Sequence, residues 1–168
     1  MIISIIYLII SFLLDNFMSN VFSSTFGYVS YFSTIYIIIS FVVIYPYFSN
    51  DKKYFILIII FGILFDVLYT STFLISLVLF FVIALFIKFL NNFLPNNIFM
   101  ANILSFSCII VYHVLTFLIL NIASGSIYGF VLLGDILTHS LIMTVLYTSV
   151  SYFIIKLIYN KFNIKVIK

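Results

Sequence analysis

The chain has 168 residues, of which 66% are hydrophobic and only 7% charged, with a formal net charge of +3 and a mean hydropathy of +1.40. Soluble domains run at about 45–50% apolar and about 25% charged, so this composition excludes a soluble globular domain and points to an integral membrane protein of one domain. The lysines occur singly or as one pair between apolar runs, which excludes a nucleic-acid footprint, and the single Cys108 excludes an internal disulfide or a zinc-finger site.

The first predicted span covers residues 2–21. No lysine precedes it and no small-residue cleavage site follows, so it reads as a spanning helix rather than a signal peptide. Ser4, Leu8, Ser11, Asp15 and Ser19 fall on one helical stripe. A polar stripe on a spanning helix faces the bundle interior. Asp15 fits either that interior or a wetted position near the membrane surface, where the insertion cost falls.

Ser23 to Gly27 reads as a turn, and the second span covers 28–48, with Pro46 ending or kinking it and Tyr45 and Tyr47 suited to the interfacial belt. Ser49-Asn50-Asp51-Lys52-Lys53 is a polar break. The third span covers 54–69, a turn at Thr70-Ser71-Thr72 follows, and the fourth covers 73–90. Asn91 to Asn97 forms the next loop, with Pro95 blocking helix continuation. The fifth span covers 98–120 and carries an arc of Asn102, Ser105, Tyr112, His113 and Thr116. Asn121 to Gly134 is too apolar for an ordinary loop and is expected to lie in the interface or re-enter the bundle. The sixth span covers 135–159, with Asp135 as a cap at its start, and a basic tail follows.

The expected fold is therefore an all-α polytopic bundle of about six transmembrane helices. With a cytoplasmic N-terminus, all seven lysines fall in cytoplasmic segments, so both termini are expected on that side.

Asp66 is the residue that most needs an explanation, because it puts a carboxylate inside an apolar run. A charge within a span costs at least ~2.5–3.5 kcal/mol on insertion scales. Gly62, Asp66, Tyr69 and Thr70 share one helical face. Gly62 would let a neighbouring helix approach, and Asp66 would point at that neighbour, bonded to hydroxyls or amides of adjacent spans. The Ser11–Asp15–Ser19 stripe and the Asn102–Thr116 arc are the expected partners.

The same stretch, Gly62-x-Leu64-Phe65-Asp66-x-x-Tyr69-Thr70-Ser71, resembles the central signature of the MreD family of bacterial rod-shape-determining membrane proteins. The likeness is specific over about residues 54–90; chain length, hydropathy layout and the basic tail fit the same family. Many members carry a glycine shortly after the Thr-Ser pair, where this chain reads Thr72-Phe73-Leu74-Ile75. The resemblance implies a multi-pass protein of the bacterial cytoplasmic membrane that pairs with the single-pass protein MreC. Through it the protein is linked to the actin-like MreB, a RodA-type glycan polymerase and a class B penicillin-binding protein. It also implies a fold similar to the substrate-capturing subunits of vitamin transporters, which supplies the alternative function of a small-molecule binder.

Chemistry offers less. Asp135 and His139 are four apart on one face, so they can pair. A zinc site would need His113 and His139 to converge with a carboxylate, and no ligand spacing demands it. No nucleophile–base pattern appears, and the glycines near Gly125 lack phosphate-loop spacing. The sequence thus implies no enzyme, no cofactor and no metal, and hydrogen-bonded helix packing is the expected role of the polar residues.

Overall fold

The computed structural model describes residues 2–23, 35–69, 74–124 and 130–162. Among them all regular structure is helical: α1 (Ile2–Ser23), α2 (Tyr36–Ile44) with a 3-10 turn (Tyr45–Tyr47), α3 (Asp51–Tyr69), α4 (Ile75–Asn91), α5 (Ile98–Ser124) and α6 (Phe130–Lys161). Two stretches, Ile98–Ile119 and Leu133–Lys161, are long and apolar enough to cross a membrane.

α2 is the axis of the bundle. Every residue from Tyr36 to Tyr47 is buried, and α1, α4, α5 and α6 all pack on it. The reason is compositional: the helix is apolar on all sides except for Ser40, so no face of it gains by exposure. Pro46 has no N–H to continue an α-helix, and the chain tightens into the 3-10 turn, closed by the Phe48 N–H donating to the Tyr45 carbonyl at 3.1 Å. α3 lies against α4, and α5 joins α4 to α6. Aromatic edges tie the layers: Phe12 of α1 meets Phe61 and Phe65 of α3, and Phe80 of α4 meets both Phe65 and Phe41 of α2.

Three boundaries differ from expectation. Asp51, Lys52 and Lys53 belong to α3, because Asn50 accepts the Lys52 N–H through its side chain at 2.8 Å and starts the helix there. α5 runs on to Ser124, and α6 already starts at Phe130, so most of the expected interfacial loop is helix. Asp135 is therefore not the cap of α6 but lies one turn inside it, exposed. Its carbonyl accepts the Thr138 hydroxyl at 2.9 Å. Phe130-Val131-Leu132-Leu133 before it are all compatible with a helix, and a lone Gly134 is tolerated inside one, so α6 is under way before Asp135. The expected turns at Ser23–Gly27 and Thr70–Thr72 and the segment 28–34 lie largely or wholly outside the described residues.

One end of the bundle gathers every lysine of the described residues. Ser4 of α1 bonds Tyr159 of α6 at 2.5 Å, and Tyr159 stacks on Tyr47 at 4.2 Å between centroids. The start of α3 joins the end of α4 through the Lys88–Asp51 ion pair at 3.0 Å. Lys52, Lys53, Lys88, Lys156 and Lys161 thus share this end, while Asp15 and Asp66 lie some 20 Å away along their helices, at about 1.5 Å per residue.

Leu74 precedes α4 with φ 66°, in the left-handed region where a Cβ costs about 1–2 kcal/mol. It falls in the Thr72–Ile75 stretch where many members of the resembled family carry a glycine. Leu74→Gly should raise thermal stability in detergent by about 1 kcal/mol, the strain relieved less some unfolded-state entropy. Thermal unfolding checks this, and a lowered midpoint would show that the Leu74 side chain contributes more than its backbone costs.

Candidate functional site

The site is a pair of carboxylates, each holding the start of the next helix. Asp66, near the end of α3, is 5% exposed. Its Oδ1 accepts the Ser76 N–H at 3.0 Å and its Oδ2 accepts the Leu77 N–H at 3.1 Å. Asp15 of α1 does the same for α2: Oδ1 accepts the Tyr36 N–H at 2.7 Å and Oδ2 the Ile37 N–H at 3.1 Å. The first turn of a helix leaves its N–H groups without intrahelical partners, and the helix dipole makes that end partly positive. A carboxylate with two oxygens fits two such donors. The residues at the N-cap positions, Ile35 and Leu74, have no side chain that could cap, so the acceptor comes from the preceding helix.

Four residues before each aspartate stands a small residue that sets the distance between helices. At Gly62 a Cβ would meet the Leu77 Cα at 2.9 Å, closer than real contacts allow, so α3 and α4 touch there because the side chain is absent. At the matching place on α1, Ser11 lies buried at the crossing with α2. Its hydroxyl donates to the Tyr7 carbonyl at 2.9 Å and accepts from Ser40 of α2 at 2.6 Å and from Tyr147 of α6 at 2.8 Å. Tyr147 also packs its ring edge-on against Tyr36, 4.7 Å between centroids. The Asp15 end of α1 is thus tied to both α2 and α6.

Of the residues singled out in the sequence, Gly62 and Asp66 meet α4, and Asp15 meets α2. The two Asp66 oxygens accept backbone amides of α4, partners that the expectation of side-chain stripes did not name. Asp135 sits apart on the exposed side of α6. Thr70 lies outside the described residues, as do the side chains of Tyr69 and His139, so the Asp135–His139 pairing does too. In the α5 arc, Asn102 donates to the Ile98 carbonyl at 2.9 Å and to Ser149 of α6 at 3.2 Å, and Ser105 is fully buried.

Two features escaped the sequence reading. One is the likeness of Ser11-Phe12-Leu13-Leu14-Asp15 to Gly62-Ile63-Leu64-Phe65-Asp66, a small residue four before the aspartate and leucine two before it. Aligning the segments around these two aspartates would have found it. The other is the buried hydroxyl row of α6, Ser140, Thr144, Thr148 and Ser151. Three of these bond back to their own helix, as Thr144 does to the Ser140 carbonyl at 2.7 Å, leaving a slim face for close packing.

Chemically, the arrangement anchors helix ends; it consumes its carboxylate oxygens on backbone donors. Asp66→Leu strands two donors away from water, at about 1–3 kcal/mol each. Asp66→Asn keeps one acceptor oxygen and turns an N–H toward the other donor, so its loss should be intermediate. Gly62→Ala forces α3 off α4 and should cost about 1–3 kcal/mol. Thermal unfolding of the purified variants in detergent checks the order. Equal stability of wild type and Asp66→Leu would show that the two amides find other acceptors.

No protein-family model, curated protein or solved structure matches this chain, so what the site does is argued from its own geometry.

Proposed function

We propose that the chain is a multi-pass, non-enzymatic scaffold of the bacterial cytoplasmic membrane. In this reading it belongs to the lateral wall-synthesis complex that sets rod shape, and it works as the resembled MreD proteins do, by holding MreC. The observation that carries the reading is the Gly62–Asp66 segment: the residues on which the resemblance rests are those that lock α3 to α4. A scaffold needs a fixed surface, and a carboxylate shared between two helices supplies rigidity rather than reactivity.

The membrane-spanning part of the reading draws on the distribution of side chains. Large apolar residues face outward along α1, α3, α4 and α6: Ile10, Phe17, Ile60, Val67, Phe89 and Leu157 are examples. Hydroxyls and Asp66 are buried instead. Outward apolar belts of this extent suit lipid rather than water. Gathering of the described lysines at one end suits a cytoplasmic face with both termini on it. The reading takes six spans, as expected from the sequence, with α2 as a short inner element that other helices screen from lipid.

Affinity purification from the native membrane, with identification of what co-purifies, tests the function. MreC and the polymerase–transpeptidase pair are the expected partners, and Gly62→Leu and Asp66→Leu should reduce their recovery and give rounded cells. A tightly bound small organic molecule with no MreC would support the transporter-subunit reading instead. A reporter active only outside the cell, fused after Lys168, should stay silent; activity there would overturn the orientation.

A further inference from the structure

Along the outside of α1 and α6 the two helices stand apart, leaving an open apolar groove of about 520 Å³ lined chiefly by isoleucines, including Ile3, Ile10, Ile154 and Ile158. At its lysine end, beyond the Ser4–Tyr159 hydrogen bond, lies a polar cleft of about 180 Å³. Lys53, Asn50, Ser49 and the Tyr159 side chain line that cleft. Ile3 and Ile158, the chain neighbours of the bonded pair, line the near end of the groove, so polar cleft and apolar groove adjoin on the same two helices.

The dimensions select the occupant. On α1 the groove runs from Ile3 to Leu14, about 17 Å at 1.5 Å per residue. That is close to one leaflet of a hydrocarbon core about 30 Å thick, and about half of what a spanning helix would need. The charge agrees: the cleft offers an ammonium, an amide and hydroxyl groups at the end of the bundle that carries the lysines. We propose that the α1–α6 face binds one anionic phospholipid of the cytoplasmic leaflet, its phosphate in the cleft beside Lys53 and one acyl chain in the groove. The proposal rests on the membrane orientation given above and is independent of MreC.

Native mass spectrometry of the full-length protein in mild detergent, with phosphatidylglycerol or phosphatidylcholine of identical chains, tests it. Phosphatidylglycerol should be retained in preference. Lys53→Gln should reduce that preference roughly fivefold, the worth of one lysine at an anionic surface. Ile10→Trp combined with Ile154→Trp should fill the groove and lower retention of both lipids. Both isoleucines are about half exposed, so an unchanged thermal midpoint is expected and confirms folding. Equal retention of the two lipids, with Lys53→Gln without effect, overturns the headgroup assignment. Unaltered retention in the folded tryptophan variant overturns the groove. Inorganic phosphate displacing the lipid as well as phosphatidylglycerol does would make the cleft a small-anion site and overturn the proposal. Because the readout needs no partner and no cell, its failure is distinct from failure of the scaffold reading.

Discussion

Two helices of this bundle begin without a capping side chain of their own, one of them wholly inside the protein. A helix start leaves several N–H groups without partners, and in apolar surroundings each orphaned donor costs about 1–3 kcal/mol. α2 is short and wholly buried, so its first turn opens inside the protein. Neither Ile35 nor Leu74 can cap the helix it precedes. The remedy in both cases is an aspartate on the preceding helix, aimed so that each oxygen takes one amide. Much else in the architecture follows from that requirement. The helix bearing the aspartate must run close to the one it caps, which is why a small residue precedes each carboxylate by one turn. The two hairpins α1–α2 and α3–α4 are in this sense two solutions of one problem.

The same constraint explains why the polar residues do not sort as in a soluble fold. In the membrane setting proposed, burial of an isoleucine would contribute little, and cohesion would fall to close packing and buried hydrogen bonds. Ser11 connects three helices through hydroxyls, and the hydroxyl row of α6 satisfies itself on its own carbonyls while keeping the surface slim. Such bonds average only ~0.6 kcal/mol in measured cycles. The aspartates weigh more, because each answers two donors and the partial positive charge of a helix end at once.

How much of this was legible in the sequence follows from the same physics. The all-α class was plain from composition, and the helical runs were visible with their ends within a few residues where polar chemistry marks them, as at Asn50 and Pro95. The end of α5 and the start of α6 were not: Gly125, Ser126 and Gly129 mark a break, but the apolar residues among and around them gave all of 121–134 the look of one interfacial segment. The inner and outer faces were hard to tell apart for a related reason: helical periodicity sorts faces by their polar residues, and on α6 the small hydroxyls of the inward row stand among apolar residues on every side. Asp66 was legible as a residue that must point inward. Its partners were not, since a backbone N–H belongs to every residue and no sequence pattern marks one. The kinship of Asp15 and Asp66 was hidden by spacing: the amides they bind are 21 and 22 residues downstream in one hairpin and 10 and 11 in the other.

The occupancy of the carboxylates bears on how a scaffold of the kind proposed can work. Asp66 is buried, and both its oxygens are engaged by α4, as both oxygens of Asp15 are by α2. Neither is placed to greet a partner protein. A substitution at Asp66 that weakened association would therefore act through the position of α3 against α4, not through a lost contact. What the bundle offers outward is different in kind: broad apolar faces on α1, α3 and α6 and a lysine-bearing end. Recognition of a spanning partner would fall to the former and of a charged membrane surface to the latter. The central aspartate motif would then govern binding only by keeping those surfaces in register, as a framework residue whose effect on function is exerted entirely through geometry.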